Sequence, residues 1–379
     1  MIGWWMHQVA QPWLVLVITN SAFSVGLVSA LRTLPVTLLS LYGGVVADRF
    51  PKRAVVLVTQ TISMVVALGL ATVVLLDVVR LEHVAIAAVL FGLALAFDIP
   101  GRHAFLFDIV GKADLMNAIA LNSSAFSASR ILGPAVGGVL IAAVGVGVCF
   151  LINGLSYVAV ILALLAIRLP PPVVSADAPP RAFKIRDGLR FVSAEPRIRA
   201  LVVMLAVASV FGFSFQIVMP VFARQVLLRG PEAYGWMVAA AGIGALIGGL
   251  ALATLGRHIP QGRAVIVGGV AFGLSLVSLG FVRSFPAVLA LLVATGLSMI
   301  VQTATTNTML QTIAPDELRG RVVSVYTFAF IGLSPFGALL AGTIAEQFGP
   351  AVFFVTGGTI CALSAAITAN LTRELLATA

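Results

Sequence analysis

Charge is scarce in this chain: Asp, Glu, Lys and Arg make up 10% of its 379 residues, and only 14 side chains are acidic. Cysteine is nearly absent, and Cys149 and Cys361 both fall in apolar runs, which suits small core residues better than a disulfide framework. His7, His83, His103 and His258 stand at no metal-ligand spacing, so no metal site is expected. The chain also lacks a nucleophile–base motif, a phosphate-binding loop and an ATP-binding motif, which leaves a membrane-bound enzyme or a primary pump without support. Hydrophobic residues, by contrast, reach 60%, and the mean hydropathy is +1.10. That composition excludes a soluble domain and describes an all-α polytopic membrane protein. The net charge of +9 does not point to nucleic acid, because the basic residues gather in loops on one side. No cleavable signal peptide is expected, since Met1 leads straight into a spanning segment.

Hydrophobic runs long enough for a bilayer, at about 20 residues each, fall at 3–19, 22–46, 54–76, 84–105, 118–142, 148–168, 200–222, 233–254, 264–282, 287–310, 322–344 and 350–371. The one long polar gap, 169–199, carries Pro170 to Pro172, Pro179, Pro180, Arg181, Lys184, Arg186 and Arg190. It divides the chain into a six-helix half at 1–168, a linker at 169–199 and a second six-helix half at 200–379. With the amino terminus inside, Arg49, Lys52, Arg53, Lys112, Arg168, Arg257, Arg263, Arg319, Arg321, Arg373 and the linker cations all fall on the cytoplasmic side. Arg80, Arg224, Arg229 and Arg283 alone fall outside, and Arg32, Arg102 and Arg130 lie within spans. The positive-inside rule therefore expects both termini in the cytoplasm.

The most informative span holds Arg130-Ile-Leu-Gly133-Pro134-Ala-Val-Gly137-Gly138. A guanidinium deep in an apolar run is costly unless it meets a cavity or a partner. Pro134 favours a bend, and Gly133 with Gly137 forms a small-xxx-small pair that admits a neighbouring helix. Such a helix is expected to be packed and functional. Gly145, Cys149, Phe150 and Gly154 recur as Gly349, Phe353, Phe354 and Gly358, an offset of 204 residues, while Ser334-Pro335 loosely echoes Gly133-Pro134. Two repeats around a midplane cavity are the architecture of a secondary transporter.

The loop Gly44-Val-Val-Ala-Asp48-Arg49-Phe50-Pro51-Lys52-Arg53 resembles the signature loop between the second and third helices of the major facilitator superfamily, with Pro51 where a glycine is usual. Phe97-Asp98-Ile-Pro100-Gly-Arg102, Asp108-Ile-Val110, Asn117 to Ser123, Arg130 to Pro134 and Asn153 to Ser156 are similar to the drug-efflux branch that includes the enterobactin exporter. The resemblance covers nearly the whole chain. It implies twelve helices and a bacterial cytoplasmic-membrane permease that acts as a monomer. The block Gly133-Pro134-x-x-Gly137-Gly138, preceded by Ser129 rather than glycine, is similar to a motif of antiporters. It implies export driven by proton entry, with no cofactor beyond the proton gradient. The resemblance also implies an earlier start for the first helix, since only about 17 apolar residues precede Asn20; a truncated or misassigned amino terminus is expected.

Within the spans, Asp98 and Arg102 lie four apart on one helix face and can pair. Together with Gly44, Asp48, Arg49, Lys52 and Arg53 they form an expected gate that holds an outward-open state, with a proton-carrying role for Asp98 as the competing reading. Arg130 either binds an anionic substrate, tunes a carboxylate, or makes a structural pair; Arg32 either sits near the outer gate or snorkels outward, the latter being the favoured reading. The expected cavity lining is Trp5, Gln8, Gln11, Asn122, Phe126, Phe211, Phe215, Gln216, Gln302 and Asn307, aromatic and uncharged polar groups that suit an amphipathic or cationic ligand. The reading is an exporter of small amphipathic compounds, drug- or siderophore-like. Its partners are that small-molecule substrate and the lipid bilayer. The alternatives are a nutrient importer or symporter and, from a different class, a lipid scramblase or membrane enzyme.

Overall fold

The computed structural model describes residues 1–167, 185–256 and 258–371. Arg168, Arg181, Lys184, Arg257 and Arg373 lie outside the described residues, as do the side chains of Asp48, Lys112 and Arg186 and the surroundings of Gly44. Among the described residues there is no strand. The helices are α1 (Ile2–Thr19), α2 (Ala22–Arg49) and α3 (Lys52–Leu75), then a continuous run Leu81–Val144 that breaks at Gly111, where φ is 66°. Its two spanning arms are α4 (Leu81–Arg102) and α5 (Asp114–Val144). There follow α6 (Val146–Ala166), a short α7 (Ile185–Ala194), α8 (Pro196–Val226), α9 (Pro231–Leu255), α10 (Gln261–Phe281), α11 (Phe285–Ile313), α12 (Leu318–Phe348) and α13 (Pro350–Leu371).

Eleven of these helices are long and apolar enough to cross a membrane. The short α7 and α1 are the exceptions. In α1 the polar His7, Gln8 and Gln11 dilute an otherwise apolar run, yet Met6, Val9, Ala10, Leu14, Val15 and Leu16 bury it inside the bundle. Two boundaries differ from the sequence reading. The segment expected as a loop between the fourth and fifth spans is helical up to and beyond Gly111. Part of the expected linker is also helical, in α7 and in the first turn of α8 at Pro196. Backbone groups near a membrane surface gain from pairing within a helix, and only a residue free to take positive φ breaks the first of these runs.

Helix ends follow local chemistry. At one end of the bundle, here the upper end, α1 stops at Asn20 in the left-handed conformation (φ 52°), and Ser21 caps α2 by accepting from Ser24 N at 3.1 Å. The repeat seen in the sequence has a geometric counterpart there. Gly145 and Gly349 both have φ of 87°, and Phe150 and Phe354, five residues on, are both fully buried. At the lower end, Pro51 and Pro260 precede α3 and α10 with nearly the same dihedrals, φ −54° and −55°.

The helices before residue 168 meet those after 184 mainly along two seams, α2 on α12 and α5 on α9. Both seams close in the upper half, because glycines face each other there. A Cβ at Gly138 would lie 2.9 Å from Gly235 Cα and 2.7 Å from Pro231 O, and one at Gly342 would lie 2.8 Å from Ala22 O. The Glu346 carboxylate on α12 also accepts from Ala22 N (2.6 Å) and Phe23 N (3.2 Å) at the start of α2. Arg224 on α8 donates to Leu16 O of α1 at 2.9 Å. The lower half lacks such seams among the described residues, and the first turns of α5 stand free, with Met116 79% and Leu121 73% exposed. Among the described residues the bundle is sealed above and open below.

This packing gives a direct test. Gly138→Leu should overpack the α5–α9 seam and destabilise the fold by about 1–3 kcal/mol, seen as a lower thermal midpoint in detergent. Gly249→Leu, on the same α9 but with nothing within 4 Å of an added Cβ, should leave the midpoint unchanged. Equal effects of the two would contradict a glycine-limited seam.

Candidate functional site

A cavity of about 370 Å³ lies between α1 and α2 on one side and α8, α9 and α12 on the other. From α1 it takes Trp4, Gln8, Gln11 and Val15, one helical face at intervals of three and four residues, together with Trp5 and Pro12. From α2 it takes Val25, Val28, Ser29, Arg32 and Thr33, again one face. Tyr234 and Val238 of α9 lie higher, close to the sealed end, where Tyr234 stacks on Trp13 at 6.2 Å.

The opposite wall depends on two irregular turns. In α8 the stretch Ala208–Gly212, and in α12 the stretch Phe328–Gly332, is a π-turn, which inserts one residue and rotates the remainder of the helix about its axis. Ser209, Phe213, Gln216 and Ile217 then face the cavity from α8, with Phe330, Ser334 and Ala338 from α12. The two turns are tied together, since Ser209 Oγ donates to Phe330 O at 2.9 Å and the rings of Phe213 and Phe330 meet edge to face at 5.4 Å.

At the lower mouth the aromatic and cationic groups form a chain. The Arg32 guanidinium lies over Trp4 at 5.6 Å, Trp4 meets Trp5 edge-on at 4.9 Å, Arg130 lies over Trp5 at 5.9 Å, and Phe126 touches Trp5 at 5.6 Å. Each cation–π contact contributes roughly 0.5–2 kcal/mol. That is less than the roughly 2.5–3.5 kcal/mol charged for one Arg at mid-membrane, so the cavity itself must solvate part of this charge. Several buried polar atoms nearby have no hydrogen-bond partner within the protein: Trp5 Nε1, Gln8 Oε1 and Gln11 Nε2. Such groups are met by water or by ligand. His7 itself is sandwiched between Phe91 (4.6 Å) and Phe150 (4.9 Å).

The motif on α5 works on two neighbours at once. Gly133 and Gly137 pack on Trp5 and Met6 of α1, Gly138 packs on α9, and Pro134 lies buried against Gly235. Arg130 O is 3.2 Å from where a Cβ of Gly242 would be. One face of α5 thus holds the cavity-lining helix and the other holds the opposing group of helices.

Of the residues expected to line the cavity, Trp5, Gln8, Gln11 and Gln216 do so, and Phe126 reaches its edge through Trp5. Phe211 and Phe215 turn the other way. Phe215 is fully buried against Phe272, and the Phe211 carbonyl packs on Gly357. The π-turn explains this, because the aromatic that faces the cavity is Phe213. Gln302 is buried beside Gly268 and Gly269 of α10, Asn307 accepts from Gln311 Nε2 at 3.2 Å, and Asn122 lies half-buried on α5 outside the lining. Arg32, expected to snorkel outward, points into the cavity instead. Trp4, Arg32, Tyr234 and Phe330 were not anticipated as lining, and only the cost of Arg32 within a span could have signalled it.

The expected gate residues form a second cluster at the lower end, within one group of helices. Asp98 is 5% exposed; its Oδ1 accepts from Thr59 Oγ1 (2.9 Å) and Gln60 Nε2 (2.8 Å) of α3, and its Oδ2 is ion-paired with Arg102. Lys52 pairs with Asp108 at 2.8 Å, Arg53 donates to Leu165 O at 2.7 Å, and Arg49 is exposed. The Asp98 cluster forms in a conformer that is open at this end. It braces α3 on α4 and does not join the two groups of helices. Asp98→Ala should cost about 1–3 kcal/mol, because it leaves the buried Gln60 amide without its acceptor while the half-exposed Arg102 keeps access to water. Arg102→Ala should cost more, about 3–5 kcal/mol, because it leaves the buried Asp98 carboxylate without its counter-charge; thermal unfolding of the two purified variants checks the order.

A family model described as transmembrane secretion effector matches residues 1–377. The chain is 30% identical over 354 residues to the multidrug efflux pump Tap of Mycolicibacterium fortuitum, covering 90% of this chain and 85% of that protein. It is 24% identical over 343 residues to the enterobactin exporter of Escherichia coli, covering 90% and 82%. Among solved structures, a bacterial homologue of the human lysosomal transporter Spinster, in an inward-facing and unoccupied conformation, superposes with a TM-score of 0.72 at 16% identity, covering 99% of this chain and 96% of that one.

Proposed function

The chain belongs to the transmembrane secretion effector family of the major facilitator superfamily, and on that footing we propose that it exports small amphipathic compounds across the bacterial cytoplasmic membrane. Its family and relatives are transporters, and it is not an enzyme. The observation that carries the reading is the cavity between two groups of helices, sealed by glycine seams above and open below. A site enclosed from one side only is what alternating access requires of one of its states. In this reading the lower end faces the cytoplasm together with both termini, α1 is a twelfth span, and 1–168 and 200–379 are six-helix halves of a monomer joined by 169–199.

Export is coupled to proton entry in this reading. Two observations support it: the efflux relatives, and the α5 motif, which touches the cavity helix α1 and the opposing helix α9 together. Gly44, Asp48, Arg49, Lys52, Arg53, Asp98 and Arg102 act as the conformational cluster of the cytoplasmic end. There, closing the cavity would bring this cluster against the lower ends of the opposing helices. An importer of the same architecture would move substrate in the opposite direction.

Expression in a pump-deficient bacterial host tests the proposal. Wild type should lower the accumulation of at least one dye or drug several-fold, a protonophore should abolish the effect, and Arg130→Ala should reduce it strongly at equal membrane abundance. Substrate uptake that rises with expression would instead select the importer. Efflux indifferent to the protonophore would sink the proton coupling.

A further inference from the structure

The cavity carries charge of one sign. Among its lining residues Arg32 is the charged side chain, and no carboxylate accompanies it. Arg130 lies one indole away, across the Trp4–Trp5 pair. Among the described residues neither guanidinium takes part in an ion pair; the pairs of Lys52 with Asp108, Arg102 with Asp98 and Arg319 with Asp316 all lie elsewhere. Two guanidinium groups, each over its own indole and neither ion-paired among the described residues, set a positive potential at and beside the cavity that disfavours a cationic guest and attracts an anionic one. The unpartnered Trp5 Nε1–H and Gln11 Nε2 add donors, which again suit an acceptor-rich ligand.

We propose that the substrate is an amphipathic organic anion, a carboxylate or sulfonate on a flat apolar body. The acidic group is held by Arg32, and the body lies between Trp4 and Trp5 on one side and Phe213 and Phe330 on the other. Arginine suits this task because its planar fork bonds an oxyanion bidentately while an aromatic face supports it from behind. The assignment rests on the exporter reading only in taking this cavity as the substrate site. Of the amphipathic or cationic ligand expected from the lining it keeps the amphipathic body and sets aside the cation, in line with the anionic substrate weighed for Arg130.

A matched pair of xanthene dyes tests the charge rule: carboxyfluorescein, an anion at neutral pH, and rhodamine 6G, a cation of similar shape. Binding to the full chain in phosphatidylcholine nanodiscs is read by fluorescence polarisation against empty discs. Carboxyfluorescein should bind at least about tenfold more tightly than rhodamine 6G. Arg32→Gln should lose roughly that factor, Arg32→Lys should keep part of it, and Arg32→Glu should reverse the preference; each variant is first shown to have the thermal profile of wild type. Tighter binding of the cation by wild type, an unchanged anion affinity in Arg32→Gln, or binding of neither dye overturns the proposal. Adding phosphatidylglycerol should leave the affinity unchanged. Displacement of the dye by that lipid would name a lipid headgroup as the anion and overturn the soluble substrate. Energy-dependent export of rhodamine 6G from cells would refute the anion while sparing the exporter, and dye binding without export of any compound would do the reverse.

Discussion

A lipid tail offers no partner to an N–H, a carboxylate or a guanidinium, so each such group in this chain must be met by protein or face a cavity. That constraint sorts the polar residues into two populations. One is satisfied internally: Asp98 holds two side chains of α3 and its own helix neighbour, and Ser209 reaches the carbonyl of Phe330. The other is left facing the cleft or its walls: Gln8, Gln11, Trp5 and Arg32. The second population gathers on one face of α1 and α2. The site is therefore a place where the bundle leaves several of its own polar groups unmet, as it also does away from the lining at His7, Asn153, Gln302 and Thr306.

The α5 motif is the other organising element. Small residues at 133 and 137 admit α1, and Gly138 admits α9. A helix gripped on both faces by close contacts cannot shift against one neighbour without disturbing the other. Interdigitated backbones of this kind move as rigid units, and here the cavity lies on one side of that unit and the seam on the other.

Most of the helical plan was legible in the residues. Hydrophobic length located the helices to within a few positions. The likeness of Gly145-x-x-x-Cys149-Phe150 to Gly349-x-x-x-Phe353-Phe354 marked equivalent positions of a repeat, and the two glycines share the same positive φ. The choice of cavity-facing side chains was less legible, and the reason is physical. A helical wheel assumes 3.6 residues per turn, whereas Ala208–Gly212 and Phe328–Gly332 each insert a residue. Phe213 therefore takes the place that an undisturbed helix would give to Phe211 or Phe215. Arg32 was misjudged for a different reason. Snorkelling is a preference of an isolated helix in lipid, and the indole of Trp4, supplied by another helix, overrides it. The helical course through to Gly111 and the start of α8 at Pro196 likewise depend on context that local hydropathy does not encode.

The bond from Glu346 to the first turn of α2 has a consequence for how such proteins diverge. Its partners are the backbone amides of residues 22 and 23, not their side chains. Any amino acid except proline presents the same N–H, so the bond places no demand on the side chains at 22 and 23, although packing at the seam still holds the buried Ala22 small. A tie of this sort leaves no paired signature in aligned sequences. Methods that infer contacts from correlated substitution would overlook it, and it would surface only as an acidic residue retained near the end of α12 with no evident companion.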